Sequence, residues 1–169
     1  MAMVAGIALI ALTSCGQTDG QPISDAGTGS NRPGNSEPAS AEASANSKFG
    51  EAFTFRNNLA VSVSLPEPYT PSSSAAGGES ADQFVVFTVT VVNGSTENYD
   101  PALFTADLQS GNREADKVYD SANGIGAPTT VVLPGRESEF RLAFAVSDPE
   151  DLVLQVSPAF DYRDAIFTS

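Results

Sequence analysis

The chain has no histidine and no tryptophan, a single cysteine, and 8 basic residues against 21 acidic ones. Each shortage closes off a class of chemistry. Without histidine, Ser-His and Cys-His nucleophilic systems cannot be assembled, and the usual imidazole ligands of zinc are missing. A lone cysteine, Cys15, cannot form an internal disulfide, so the fold has to rest on a packed core. The absence of both tryptophan and a cysteine pair removes the core signature of antibody domains. The formal net charge of −13 repels phosphate backbones and anionic headgroups, which argues against a nucleic-acid partner. The apolar stretch near the start runs only from Val4 to Leu12. That is too short to span a bilayer but suits the centre of a signal peptide.

What is present falls into two compositions. Gly16 to Lys48 holds Gly, Ser, Pro, Ala, Asn, Asp and Glu, no aromatic residue, and Ile23 as its single large aliphatic. Such a stretch buries too little apolar surface to offset its ordering entropy and reads as a disordered tether. As a flexible coil, Gly16 to Ser47 would reach about 30 Å. From Phe49 to Ser169 the pattern changes to period two, and this part is long enough for one domain with one core. It carries 17 acids and 6 basic residues, so most of the acidity lies on the domain; solubility explains that charge more simply than cation binding.

The alternation marks the strands. Phe53 and Phe55 form one face, as do Leu59, Val61, Val63 and Leu65. Val85, Phe87, Val89 and Val91 face one way, and the opposite face of that strand is also apolar, which predicts a central position. Phe104, Ala106 and Leu108 follow, then Phe140, Leu142, Phe144 and Val146 with Arg141 turned outward, then Leu152, Leu154 and Val156, and a last strand over Ala165–Thr168. Pro66-Glu67-Pro68, Pro71–Asp82, Asn93-Gly94-Ser95, Pro134-Gly135 and Asp148–Asp151 read as strand stops, loops and turns. One weak helical candidate spans Ser110 to Asp120. Seven or eight short strands with regular turns predict an all-β, immunoglobulin-like antiparallel β-sandwich.

Two resemblances add to this reading. Leu12-Thr13-Ser14-Cys15, closing the apolar stretch, resembles a bacterial lipobox. The likeness implies that Cys15 is lipidated on its sulfur and begins the mature protein, with residues 1–14 as signal peptide and 15–48 as lipidated cysteine and tether. A plain secretory peptide or an N-terminal strand is the alternative, and Met1-Ala2-Met3 lacks the usual basic residues. Further along, Phe49-Gly50-Glu51, Leu59–Val63, Val91–Ser95, Leu133-Pro134-Gly135, Phe140–Val146 and Leu152–Val156 are similar to the DUF4352 group of secreted domains. That likeness implies a telokin-like, immunoglobulin-like sandwich of the kind common on Gram-positive lipoproteins, and it carries over no catalytic residues.

The search for chemistry is mostly negative. Gly124-Ile125-Gly126 lacks the lysine and third glycine of a phosphate loop and reads as a turn. Glu137 with Glu139, and Glu150 with Asp151, are carboxylate pairs without neighbouring aromatics for a sugar platform, and exposed charge explains them better than glycoside hydrolysis. Asp148, Glu150 and Asp151 in one turn, with Asp161 and Asp164 near the end, are weak candidates for calcium, and the spacing matches no EF-hand. Tyr69, Tyr99, Tyr119 and Tyr162 fall in loops or strand ends, each expected to pack locally. The expectation is therefore a non-enzymatic, cofactor-free domain on the outer face of the cell membrane, held there by lipid on Cys15 and engaging another envelope protein. A binding protein for a small solute or a cell-wall glycan is the alternative.

Overall fold

The computed structural model describes residues Asn46–Ser169. Cys15, the signal segment and the tether up to residue 45 lie outside the described residues. Eleven strand segments occur in the order β1 (Asn46–Lys48), β2 (Ala52–Thr54), β3 (Leu59–Val63), β4 (Glu67–Pro68), β5 (Gln83–Asn93), β6 (Thr105–Ser110), β7 (Arg113–Glu114), β8 (Asp116–Val118), β9 (Glu137–Val146), β10 (Leu152–Ser157) and β11 (Ala165–Thr168). They form two sheets, β1-β11-β10-β6-β7 and β2-β3-β5-β9-β8, with β4 also pairing β5. The fold is an immunoglobulin-like β-sandwich, antiparallel except where β1 runs parallel to β11. The count exceeds seven or eight because β1, β4, β7 and β8 are two- or three-residue pieces.

Alternation produces the core directly. Leu59, Val61 and Val63 of β3, Phe87, Val89 and Val91 of β5, Leu154 and Val156 of β10, and Phe167 of β11 are fully buried between the sheets. Burial of each large side chain contributes about 1.5–3 kcal/mol. Phe87 joins the aromatic layers, 5.2 Å from the Phe49 ring and 6.2 Å from Phe144. Strand β5 is central, as its two apolar faces predict. Its outer face and that of β9 pack a second cluster of Val86, Ala143 and Ala145 with Val118 and Ile125, covered by Tyr69, Ala75, Ala81 and Phe84. The loop over this cluster lies so close that a Cβ on Gly77 (φ +95°) would collide with the Lys117 carbonyl, and one on Gly78 would meet Ala145 Cβ at 2.5 Å.

Four expectations need correction. Leu65 does not continue the β3 face and is exposed. The strand breaks at Ser64, whose hydroxyl takes the Thr88 N–H in place of a backbone carbonyl, and pairing then resumes at β4 despite Pro66. The Ser110–Asp120 stretch is no helix. Gly111 and Asn112 both have positive φ, +55° and +61°, and close a two-residue hairpin between β6 and β7, the geometry that matches strand twist. Arg141 is half-buried rather than free on the outer face, because Gly126 donates its N–H to the Arg141 carbonyl and holds the Ile125 loop against it. Finally, β1 begins at Asn46, within the stretch whose composition reads as tether. Asn46, Ser47 and Lys48 have no apolar signature and are held by backbone pairing with Ile166, Phe167 and Thr168.

Candidate functional site

The strand register defines two ends. At one, Asn46 pairs with Ile166, Leu59 with Asn93, Val92 with Glu137 and Thr105 with Ser157. This is the end at which the chain enters β1. At the other, Gln83 pairs with Val146 and Leu152 with Ser110. The far end is acidic: Glu79, Asp82, Glu114 and Asp116 line a depression there with Arg113, and the Asp148–Asp151 turn is adjacent. At the entry end a shallow groove of about 380 Å³ is lined by Phe55, Arg56, Asn57, Asp161, Tyr162 and Arg163.

The groove is built where a hairpin and a loop meet. The β2–β3 turn runs Phe55-Arg56-Asn57-Asn58, with Asn58 in the left-handed region (φ +66°) and its N–H donated to the Phe55 carbonyl. Asparagine tolerates that conformation better than most residues, and Asn57 Oδ1 accepts the Leu59 N–H at 3.2 Å. Asn57 Nδ2 donates to the Tyr162 hydroxyl at 2.7 Å, tying the turn to the β10–β11 loop. The Tyr162 ring meets Phe55 edge-on, with centroids 5.1 Å apart. The Arg163 guanidinium lies 5.1 Å from the Phe53 ring centroid, a cation–π contact. Phe160, 87% exposed, stands in the same loop. Leu133 and Val131 are exposed in the loop that leads into β9 at this end.

The calcium candidates do not converge. Asp148, Glu150 and Asp151 precede β10, and Asp161 and Asp164 follow it, so the six-residue strand holds the two groups about 20 Å apart. Asp148 Oδ1 accepts the Glu150 N–H at 3.0 Å, which shapes the turn, and Asp164 accepts from Gln155 at 2.9 Å. Among the described residues no three potential metal-ligating side chains cluster. Millimolar Ca²⁺ is therefore expected to leave the melting temperature unchanged; a rise that disappears in Asp151→Asn would refute this placement. Glu137 and Glu139 are exposed on β9 opposite Val92 and Thr90. Gly124-Ile125-Gly126 is a turn, with Gly124 left-handed after a short 3₁₀ segment and Ile125 buried. Tyr99 is buried, donates to the Pro158 carbonyl at 3.0 Å, and has its pKa pushed well up by that burial. Tyr119 is exposed.

The most heavily bonded carboxylate is one the sequence did not single out. Asp120 is 1% exposed. Its Oδ2 accepts from the Tyr69 hydroxyl at 2.6 Å, the Ser72 N–H at 2.7 Å and Asn123 Nδ2 at 3.0 Å, and its Oδ1 accepts from Ser72 Oγ at 2.7 Å. Led by the Tyr69 bond, these donors hold its pKa down at about 2. With every oxygen supplied by the protein, the group latches the 69–82 loop over the outer cluster and offers nothing to a ligand. Because the folded pKa lies below the ordinary value, the latch contributes fully above about pH 4 and is lost as pH falls from there toward about 2. Melting temperatures of wild type and Asp120→Asn should thus converge on acidification over that window; a constant gap would deny the latch its charge.

No family model matches the chain, and no curated protein matches it either. Solved structures do. The yjhA protein from Bacillus subtilis aligns with TM-score 0.55 at 14% identity, over 72% of this chain and 97% of that one. The secreted protein MPT63 from Mycobacterium tuberculosis aligns with TM-score 0.54 at 18% identity, over 73% and 96%. At such identities the likeness establishes the sandwich and no function. Arg56, Phe160 and Arg163 escaped the sequence reading because neither hairpin nor loop carries a motif. The one available signal was the mixed aromatic and charged run Phe160-Asp161-Tyr162-Arg163.

Proposed function

We propose that this chain is a lipid-anchored, extracellular, non-enzymatic binding or accessory domain of the DUF4352 type, held to the membrane through Cys15 and engaging another envelope protein at the entry end of the sandwich. The carrying observation is Phe160, a large aromatic left 87% exposed in the same loop as Asp161, Tyr162 and Arg163, which line the aromatic-floored groove. Exposed aromatics beside arginines typify protein-binding surfaces. The lipobox-like Leu12–Cys15 supports the anchor, and the description of MPT63 as a secreted protein agrees with an extracellular setting. Among the described residues no helix is long and apolar enough to cross a membrane. The lack of histidine and the acidic surface speak against catalysis and nucleic-acid binding. The concavity of the groove supports a second reading, a binding protein for a small solute or a wall glycan.

Two measurements test the proposal. Mass spectrometry of the mature N-terminus should find Cys15 carrying lipid, and Cys15→Ser should release the protein from membranes, since stable residence takes acyl chains; an unmodified Cys15 or cleavage elsewhere refutes the anchor. A photo-crosslinking side chain at position 160 should capture a partner in intact cells, whereas one at position 150, at the far end, should not. Capture from position 150 alone would place the interface at the wrong end.

A further inference from the structure

Resting on the second of these readings, we infer that the groove is a site for a short zwitterionic peptide or amino acid with an apolar side chain. Three features of its wall specify that chemistry. First, Arg56, one of only 6 basic residues set against 17 acids in the domain, lines the depression. Guanidinium favours carboxylate through paired charge-assisted hydrogen bonds. Second, Asp161 lines the same groove. It supplies an acceptor for an ammonium group, so that with Arg56 the groove offers opposite charges to the two ends of a zwitterion. Third, the floor is the Phe55–Tyr162 edge-on pair, which suits an apolar side chain. The Tyr162 hydroxyl accepts from Asn57 and so keeps its own proton to donate to a ligand.

The site is also preformed. The Asn57–Tyr162 bond joins its two walls, and the Phe53 ring under Arg163 fixes one cation. A preformed wall reduces the ordering entropy that a small ligand must overcome. The groove volume of about 380 Å³ falls in the range used for small molecules and accommodates a dipeptide.

The full chain is titrated with leucyl-phenylalanine, its C-terminal amide, its N-acetyl form, and glucuronate as a sugar source of the same carboxylate. Binding is read by calorimetry and by shifts of the Phe55 and Tyr162 ring resonances. The dipeptide is expected to bind with shifts confined to the groove. The amide and the N-acetyl form should each bind about tenfold or more weakly, the effect of losing one hydrogen bond to a charged group. Arg56→Gln should reproduce the loss seen with the amide and Asp161→Asn that seen with the N-acetyl form; both residues are exposed, so neither change threatens the fold. Equal binding of the amide, binding of glucuronate as tight as the dipeptide, or no ring shifts at millimolar dipeptide would each overturn the inference. If the dipeptide fails while position 160 still captures a partner, the protein-docking end stands and only this ligand falls.

Discussion

Phe144→Ala is expected to lower the unfolding free energy by about 3–5 kcal/mol, the usual cost of emptying an aromatic core site. The ring is fully buried and meets Phe87 edge-on at 6.2 Å. Its backbone sits between Val85 of β5 and Lys117 of β8, so the strand is held on both sides and cannot move inward to fill the void. A domain of this size is stable by about 5–15 kcal/mol, so this one substitution removes a large share. Urea unfolding should show a lower midpoint with an unchanged slope. Phe160→Ala provides the contrast: with an 87% exposed ring it should stay within about 0.5 kcal/mol. A shift below about 1 kcal/mol for Phe144→Ala would mean that the β9 register is one residue out, which exchanges the two faces.

Asn93→Asp should be almost as damaging, although it changes one atom. The Asn93 side chain is fully buried at the end of β5. Its Nδ2 donates to the Glu97 and Val132 carbonyls, both at 2.8 Å, and its Oδ1 accepts from the Ser95 N–H at 3.1 Å and Ser95 Oγ at 2.7 Å. The amide thus gathers two loops around one point. Aspartate puts an oxygen against two carbonyl oxygens, and each buried group left unpaired costs about 1–3 kcal/mol. The expected loss at neutral pH is about 3–5 kcal/mol. Only the protonated acid can donate to a carbonyl, so the introduced group should have a raised folded pKa. The deficit should then be smallest below about pH 4 and grow as pH rises above it. A variant within about 1 kcal/mol of wild type at pH 7, or one whose deficit shrinks with rising pH, would contradict the amide orientation.

These two sites mark the line between what the sequence disclosed and what it concealed. Phe144 announced itself, because alternation along Phe140–Val146 has a period of two and a buried face follows from it. The same logic located β3, β5, β6, β10 and β11. Asn93 was read as part of a turn but closes strand β5, and its partner Val132 is 39 residues away with no local pattern to join them. The Asp120 latch is similar, with Tyr69 51 residues distant. Strand β1 was invisible for another reason: three polar residues that enter the sheet by backbone pairing carry no apolar alternation. The groove combines both difficulties, since Arg56 and Arg163 are ordinary surface residues until folding brings the hairpin and the loop together around one groove.

The parallel pairing of β1 with β11 also sets how the domain bears tension. Asn46 lies at the start of β1 and Thr168 at the close of β11, at opposite ends of the same ladder. A pull applied through these two points slides one strand lengthwise past the other, so the ladder bonds stretch together. An antiparallel pair pulled from adjacent ends would open bond by bond. The short, polar β1 thus acts as a shear clasp, resisting a tug on the incoming chain before the load reaches the core.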